Sequence, residues 1–289
     1  MIKYNNFSKL KKLTLFLFVY FLCLNVHAEN ASEKISGYIS NLIPGEGDTE
    51  VSIDLRDNHS ADFSILAVRE LSKINSGNIF TQISLFNTEK NSEDRIIGNF
   101  GLGSRKLLYD DTLLAGVNAF IDNDFDETTR RASLGFELKN AVLDFSSNIY
   151  EGIEDSQDER VMNGWDYTLA SQVPYVHWSK IFVSQYQWEG ILREDVEGIK
   201  LGSEMLLTPH VNLEVAYDDK DRDGLEDEWY AKIQLVHPPR NNGPTALDGI
   251  SDTAWNKNKD MSDELLSKVK RNNKIMIEFE GISTISRAD

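Results

Sequence analysis

Cysteine is nearly absent. The single one, Cys23, lies in an apolar run near the N-terminus, and none follows it. A chain exported from the reducing cytoplasm without cysteines cannot rely on disulfides, so packing and ladder closure must hold it. Long apolar runs are lacking too. The longest, LTLFLFVYFLCL at Leu13–Leu24, falls short of the ~20 residues a spanning helix needs. That excludes a helical membrane protein but not a barrel, whose strands need only alternate residues apolar. Bases are scarce: 30 Lys and Arg stand against 47 Asp and Glu, for a formal net charge of −17. Such acidity argues against nucleic acid and anionic substrates as partners. Catalytic patterns are missing as well. His27, His59, His177, His210 and His237 are scattered, with no HExxH and no triad-like grouping. GLGSRK at Gly101–Lys106 lacks the spacing of a phosphate-binding loop and falls within a strand-like run. No enzyme is expected.

What the chain does have begins with a leader. Lys3, Lys9, Lys11 and Lys12 precede the apolar run, and Val26 and Ala28 occupy the −3 and −1 positions before Glu29. This is the layout of a secretory signal peptide over residues 1–28. Leu22, too large for a lipoprotein signal, precedes Cys23. The leader carries four lysines and no acid, so its removal takes the net charge to −21. A short polar segment follows, helical in pattern over Ala31–Leu42, and PGEG at Pro44–Gly47 ends it.

From Thr49 the period changes to two. In RRASLGFELKN, Ala132, Leu134, Phe136 and Leu138 share one parity, while Arg131, Ser133, Gly135, Glu137 and Lys139 share the other. TEVSIDLR, TLLAGVNAFID and VNLEVAYD repeat the pattern, and twelve such segments fit between Thr49 and His237. Phe80 and Phe86 in one segment, and Phe182 and Tyr186 in another, break the alternation. Connections take turns: short ones such as KN, VPYVHW and LLTPH alternate with acidic ones such as NTEKNSEDR, DNDFDETT and EGIEDSQDERVMN. Tyr109, Tyr175 and Trp178 fall near the short-turn end, Trp188 and Trp229 near the long-loop end, as two aromatic girdles would. An antiparallel outer-membrane barrel fits all of this, with Leu134, Phe136 and Val117 toward lipid. A soluble sandwich or lipocalin-like barrel also alternates, and periodicity leaves both open.

The run from GNFGLGSRKLLYDD to AVLDFSSNIY, then NGWDYTLASQVPYVHWSKIFVSQYQWEG and the closing KRNNKIMIEFE resemble, in order, the barrel of the intimin–invasin family, the inverse autotransporters. The likeness extends from about Glu50 to Gly281. It implies an all-β, twelve-stranded antiparallel barrel in the outer membrane of a Gram-negative bacterium, with its N-terminus in the periplasm. It also implies a linker that returns through the pore to carry a passenger outside. The expected layout is signal peptide 1–28, periplasmic segment 29–48, barrel 49–237 and linker 238–289. Within the linker, MSDELLSKVK predicts a helix over 262–270 capped by Ser262, and 271–281 alternates as an extended pore segment. Implied partners are outer-membrane lipid, periplasmic chaperones, the barrel-assembly machinery and a C-terminal or separately encoded passenger. The printed chain departs from the family at both ends. Glu29–Asp48 is too short for a peptidoglycan-binding module, and only eight residues follow Gly281. Adhesion, a property of the family's passengers, is therefore not carried over. A porin-like channel and a truncated, non-exporting remnant stand as the alternatives.

One loop invites a cofactor. Asp219, Asp221 and Asp223, with Gly224 and then Asp227, spell the start of a calcium loop. Tyr230 stands where an EF-hand needs a bidentate Glu, so an acidic hairpin loop is the default reading and no cofactor is expected.

Overall fold

The computed structural model describes residues 38, 43–57, 61–90, 93–221, 225–240, 243–257 and 260–280. The leader, the expected helix over 31–42 and residues 281–289 lie outside them, apart from Tyr38. Fourteen strands follow in chain order: β1 (Thr49–Arg56), β2 (Asp62–Ile74), β3 (Gly77–Lys90), β4 (Glu93–Leu108), β5 (Leu113–Asp124), β6 (Arg130–Asn140) and β7 (Leu143–Glu154), then β8 (Glu159–Val161), β9 (Gly164–Val173), β10 (Val176–Trp188), β11 (Val196–Thr208), β12 (Val211–Asp221), β13 (Glu228–His237) and β14 (Ile277–Phe279). Twelve of them close a single antiparallel barrel; β8 and β14 pair apart from it. Closure joins β1 to β13, from Thr49 opposite His237 to Arg56 opposite Tyr230. Closing the sheet leaves no free edge, which a chain without disulfides needs.

Outward positions are apolar and exposed. Val117 is 57% exposed, Leu134 58% and Ile149 58%. Arg131, Ser133, Glu137 and Lys139, on the opposite parity of β6, are buried within the lumen. A soluble barrel would bury the first set and expose the second, so the inside-out pattern identifies a membrane barrel. The aromatic residues that break the alternation have a physical role. Phe80, Phe120, Phe182 and Tyr186 all point inward and are buried, each lying over a glycine of a neighbouring strand. A Cβ at Gly101 would come within 2.2 Å of the Phe120 ring, and one at Gly103 within 2.4 Å of Phe80. The pairs Gly202 with Phe182 and Gly198 with Tyr186 repeat the device across β10 and β11. A ring laid flat on a glycine fills the wall without closing the pore.

The two rims differ as expected, with three corrections. Ser76 and Tyr175 adopt left-handed conformations in short turns at one rim, as do Tyr109, Asp110 and Asp111. At the other rim, NTEKNSEDR is chiefly ladder and not loop: β3 and β4 stay paired up to Lys90 opposite Glu93. Trp188 does not belong to a girdle. It is 1% exposed, inside the lumen, 5.1 Å from the Tyr150 ring. It shares the even parity of Phe182 and Tyr186, which points it inward. The long-loop girdle is formed by Trp165 stacked on Tyr167 and by Trp229 against Tyr217. At the short-turn rim Tyr109 and Tyr175 are exposed, whereas Trp178 donates its indole N–H to the Gly249 carbonyl at 2.8 Å.

The third correction concerns the helix expected over 262–270. Only a short 3-10 turn forms, Met261–Glu264, and its cap is Asp260, which accepts from the Ser262 amide, rather than Ser262. The rest of the stretch is irregular chain inside the barrel. A helix this short is marginal by itself. The wall also takes up the carbonyls that a helix would use internally.

Candidate functional site: the filled lumen

Residues 261–279 run up the inside of the barrel from the short-turn rim to the long-loop rim. Met261 enters against Leu107 and Leu114, and its amide donates to the Asp111 carbonyl. Arg105 then takes hold of the chain. Its Nη1 donates to the carbonyls of Leu265 at 2.9 Å and Ser267 at 2.6 Å, while its Nε donates to Glu137 at 2.6 Å. Lys139 donates to the Ser267 hydroxyl, and Gln82 accepts from the Val269 amide. Polar wall side chains thus replace the hydrogen bonds that water or a helix would supply.

Halfway up, Asp122 is enclosed by cations. Arg271 of the tail binds it through two nitrogens, at 2.9 and 2.7 Å; Arg131 of β6 donates to it at 2.9 and 2.8 Å. Asn99 donates to Asp122 and also to the Asn273 carbonyl. Arg271 Nε and Arg131 Nη1 find no hydrogen-bond acceptor among the described residues, but the guanidinium groups lie over aromatic faces. Arg271 Cζ is 4.3 Å from the Phe120 centroid, and Arg131 Cζ is 4.3 Å from that of Tyr150. The ring quadrupole compensates part of that desolvation. Three tail lysines complete a ladder: Lys268 pairs with Glu50 at 3.0 Å, Lys270 with Glu204 at 2.7 Å and Lys274 with Asp62 at 2.7 Å. The partners come from β1, β11 and β2, so the tail is tied across the lumen and not to one strand.

At the long-loop rim the tail becomes strand β14 and pairs with β8, a piece of the β7–β9 loop folded inward. Ile275 and Ile277 pack with Phe86, Ile97 and Val161, and Met276 turns the other way toward Tyr150 and Trp188. Arg95 pins the loop through Glu159 at 2.5 Å. Glu278 accepts the amides of Ile191 and Leu192 from a second loop.

The acidic loop is arranged differently from a calcium cradle. Asp223 lies outside the described residues. Asp227 already accepts from the Tyr217 hydroxyl at 2.7 Å and the Lys220 amide at 3.2 Å. Among the described residues no three His, Cys, Asp or Glu are grouped to hold a metal ion. His177 contacts the Thr253 carbonyl at the short-turn rim. The residues that organise the lumen, Arg105, Asp122, Arg131, Glu137 and Arg271, were not singled out by motif. The signal of the four wall residues is a charge on the inward parity of a strand otherwise rich in Asn, Ser and Gly; Arg271 lies on irregular chain and carries no such signal.

A closed barrel with an apolar exterior, short turns at one rim and its own chain threaded through the pore is an outer-membrane barrel. The chain belongs to the family described as inverse autotransporter, beta-domain, whose sequence model matches residues 23–273. A putative attaching and effacing protein homolog of Escherichia coli strain K12 is 29% identical over 154 residues, covering half of each chain. This chain therefore spans about half the length of that curated relative. A solved structure from a study of the in-meso crystallization of membrane proteins superposes with a TM-score of 0.63 at 20% identity, over 81% of this chain and all of that one. The KdgM porin matches at a TM-score of 0.45 and 6% identity, over 65% of this chain and 98% of that one. Short turns face the periplasm and longer loops the outside in outer-membrane barrels, which orients the two rims.

Proposed function

We propose that the barrel exports and anchors a passenger, carried after the tail or separately encoded, with residues 261–279 as the thread that crosses the membrane. The observation that carries this reading is the tail's path. Met261 sits among Leu107 and Leu114 at the periplasmic rim, while Ile277 pairs with Val161 at the outer one. Anchoring follows from the same contacts, because a thread fixed by the buried Arg105, Asp122 and Arg131 clusters resists withdrawal in either direction. An epitope placed after Asp289 should be labelled by antibody on intact cells, and one placed after Ala28 only in permeabilised cells. A C-terminal epitope that stays hidden on intact cells defeats the proposal.

A plain channel is the second reading, favoured by the space left beside the tail. Deletion of Met261–Asp289 discriminates the two. A translocator without its tail becomes a wide pore, whereas a channel that never depended on the tail keeps its conductance.

A further inference from the structure

The tail does not fill the lumen. It lies along β3–β7, whose Asn78, Gln82, Asn99, Arg105, Arg131 and Asn148 hold its backbone. Facing it across a cavity of about 300 Å³ are β1 and β10–β13. The cavity is bordered along β13 from Glu228 through Tyr230 and Lys232 to Gln234. Six residue steps at ~3.3 Å make about 20 Å of strand, which a tilt of about 40° turns into about 15 Å of height, half the hydrocarbon thickness. At ~30 Å³ per water the space holds about ten waters. That describes a file of water beside the tail, with room for small ions.

Charge along the file is unbalanced. The barrel lines it with eight carboxylates against three bases, Arg56, Lys200 and Lys232; the tail adds four bases, Lys268, Lys270, Arg271 and Lys274. With the tail seated the file keeps one carboxylate in excess, and without it five. Asp166 and Glu214 are the lining carboxylates with no ion-pair partner among the described residues, and Glu214 has the fewer hydrogen bonds: one from the Tyr230 hydroxyl at 2.5 Å, against two at Asp166, from Asn148 and Tyr150. Glu214 stands midway up the barrel, opposite Glu204 on β11 and Lys232 on β13.

We propose that the folded protein, with its tail in place, conducts small monovalent cations through this file, that Glu214 sets the preference for cation over anion, and that the tail's bases hold the current down. This goes beyond export and holds whether or not a passenger follows. The test uses the full chain, folded into planar bilayers under a KCl gradient, with heat-modifiability reporting the folded barrel. A small steady current should reverse at a potential on the potassium side. One charge ~5 Å from a passing ion in water changes its local concentration about fourfold. The same charge depletes chloride by a like factor, so Glu214→Gln should lower the potassium-to-chloride preference by at most about sixteenfold. Lys200→Gln, which removes a base from the file, should raise it, and supplies the test should Glu214→Gln not fold. Folded protein that passes no current, an anion preference, or a reversal potential unmoved by both substitutions overturns the proposal.

Discussion

Arg271 holds the tail by the most enclosed contact it makes, and Arg271→Met should release it. Its guanidinium is fully buried, bound twice to Asp122 and once, at 3.0 Å, to the Ser133 hydroxyl. Removing one partner of a buried ion pair costs about 3–5 kcal/mol. Asp122 would keep Arg131 and Asn99, which places this loss near the lower end, at ~3 kcal/mol. At 1.36 kcal/mol per factor of ten, the unseated tail should become about a hundredfold more populated. Hydrogen exchange reads such local opening directly. The Val269 and Asn272 amides, bonded to Gln82 and to the Tyr150 hydroxyl, should lose about two decades of protection. Ladder amides of β5 and β6 should keep theirs, since the barrel closes without the tail. Arg130→Gln is the control: its pair with Glu154 is about half exposed and is worth at most ~1 kcal/mol. Tail amides as protected in Arg271→Met as in the parent would refute the latch. A loss spread evenly over the barrel wall would refute it too.

Further outcomes follow from the wall, the lipid face and the periplasmic rim. Leu134→Arg should destabilise the barrel by about 2–4 kcal/mol if it lies near the midplane, while Ser184→Arg, facing the open file, should be far milder. Equal loss in a urea-refolding series would reverse the assigned faces. Gly101→Ala should cost about 1–3 kcal/mol by overpacking against Phe120, and Phe120→Leu should recover part of it; a neutral Gly101→Ala would remove the ring-on-glycine account. At the periplasmic rim, burial pushes the Asp48 carboxyl from an ordinary 3.8 up to about 6, against the pull of Arg240 and with the help of Glu50. The group is more basic folded than unfolded, so its contribution is full below the unfolded value and is lost as pH rises through the folded one. Asp48→Asn should thus flatten the decline in unfolding midpoint between about pH 4 and about pH 7, and identical pH slopes in parent and variant would exclude the effect.

Much of the membrane machine could be read from residue order. A strand's two faces alternate by geometry, so RRASLGFELKN declared a wet face and an apolar face before any coordinate. What parity could not declare was why Phe80, Phe182, Tyr186 and Trp188 sat on the wet side. Each needs a neighbour on another strand: a glycine beneath all four, Gly164 in the case of Trp188, with the Tyr150 ring also beside Trp188. Such pairings depend on cross-strand register, which no local window contains. The tail misled for a related reason. MSDELLSKVK has the acids, lysines and cap of a helix, yet Arg105 takes the carbonyls of Leu265 and Ser267 and Gln82 takes the Val269 amide. A short helix is marginal by itself, and competing partners at fixed positions on a wall decide against it.

The sequence by itself determined the number of barrel strands, their inward and outward faces and the contrast between the two rims, because all three follow from period-two patterning and local turn chemistry. Tertiary structure alone decided which carboxylate each tail base meets. Lys268, Lys270, Arg271 and Lys274 lie within seven residues, but Glu50, Glu204, Asp122 and Asp62 come from four different strands. Only closure of the sheet brings those four to one axis. Charge attraction is strong enough to matter there because the water beside the tail is confined and screens less than bulk solvent would.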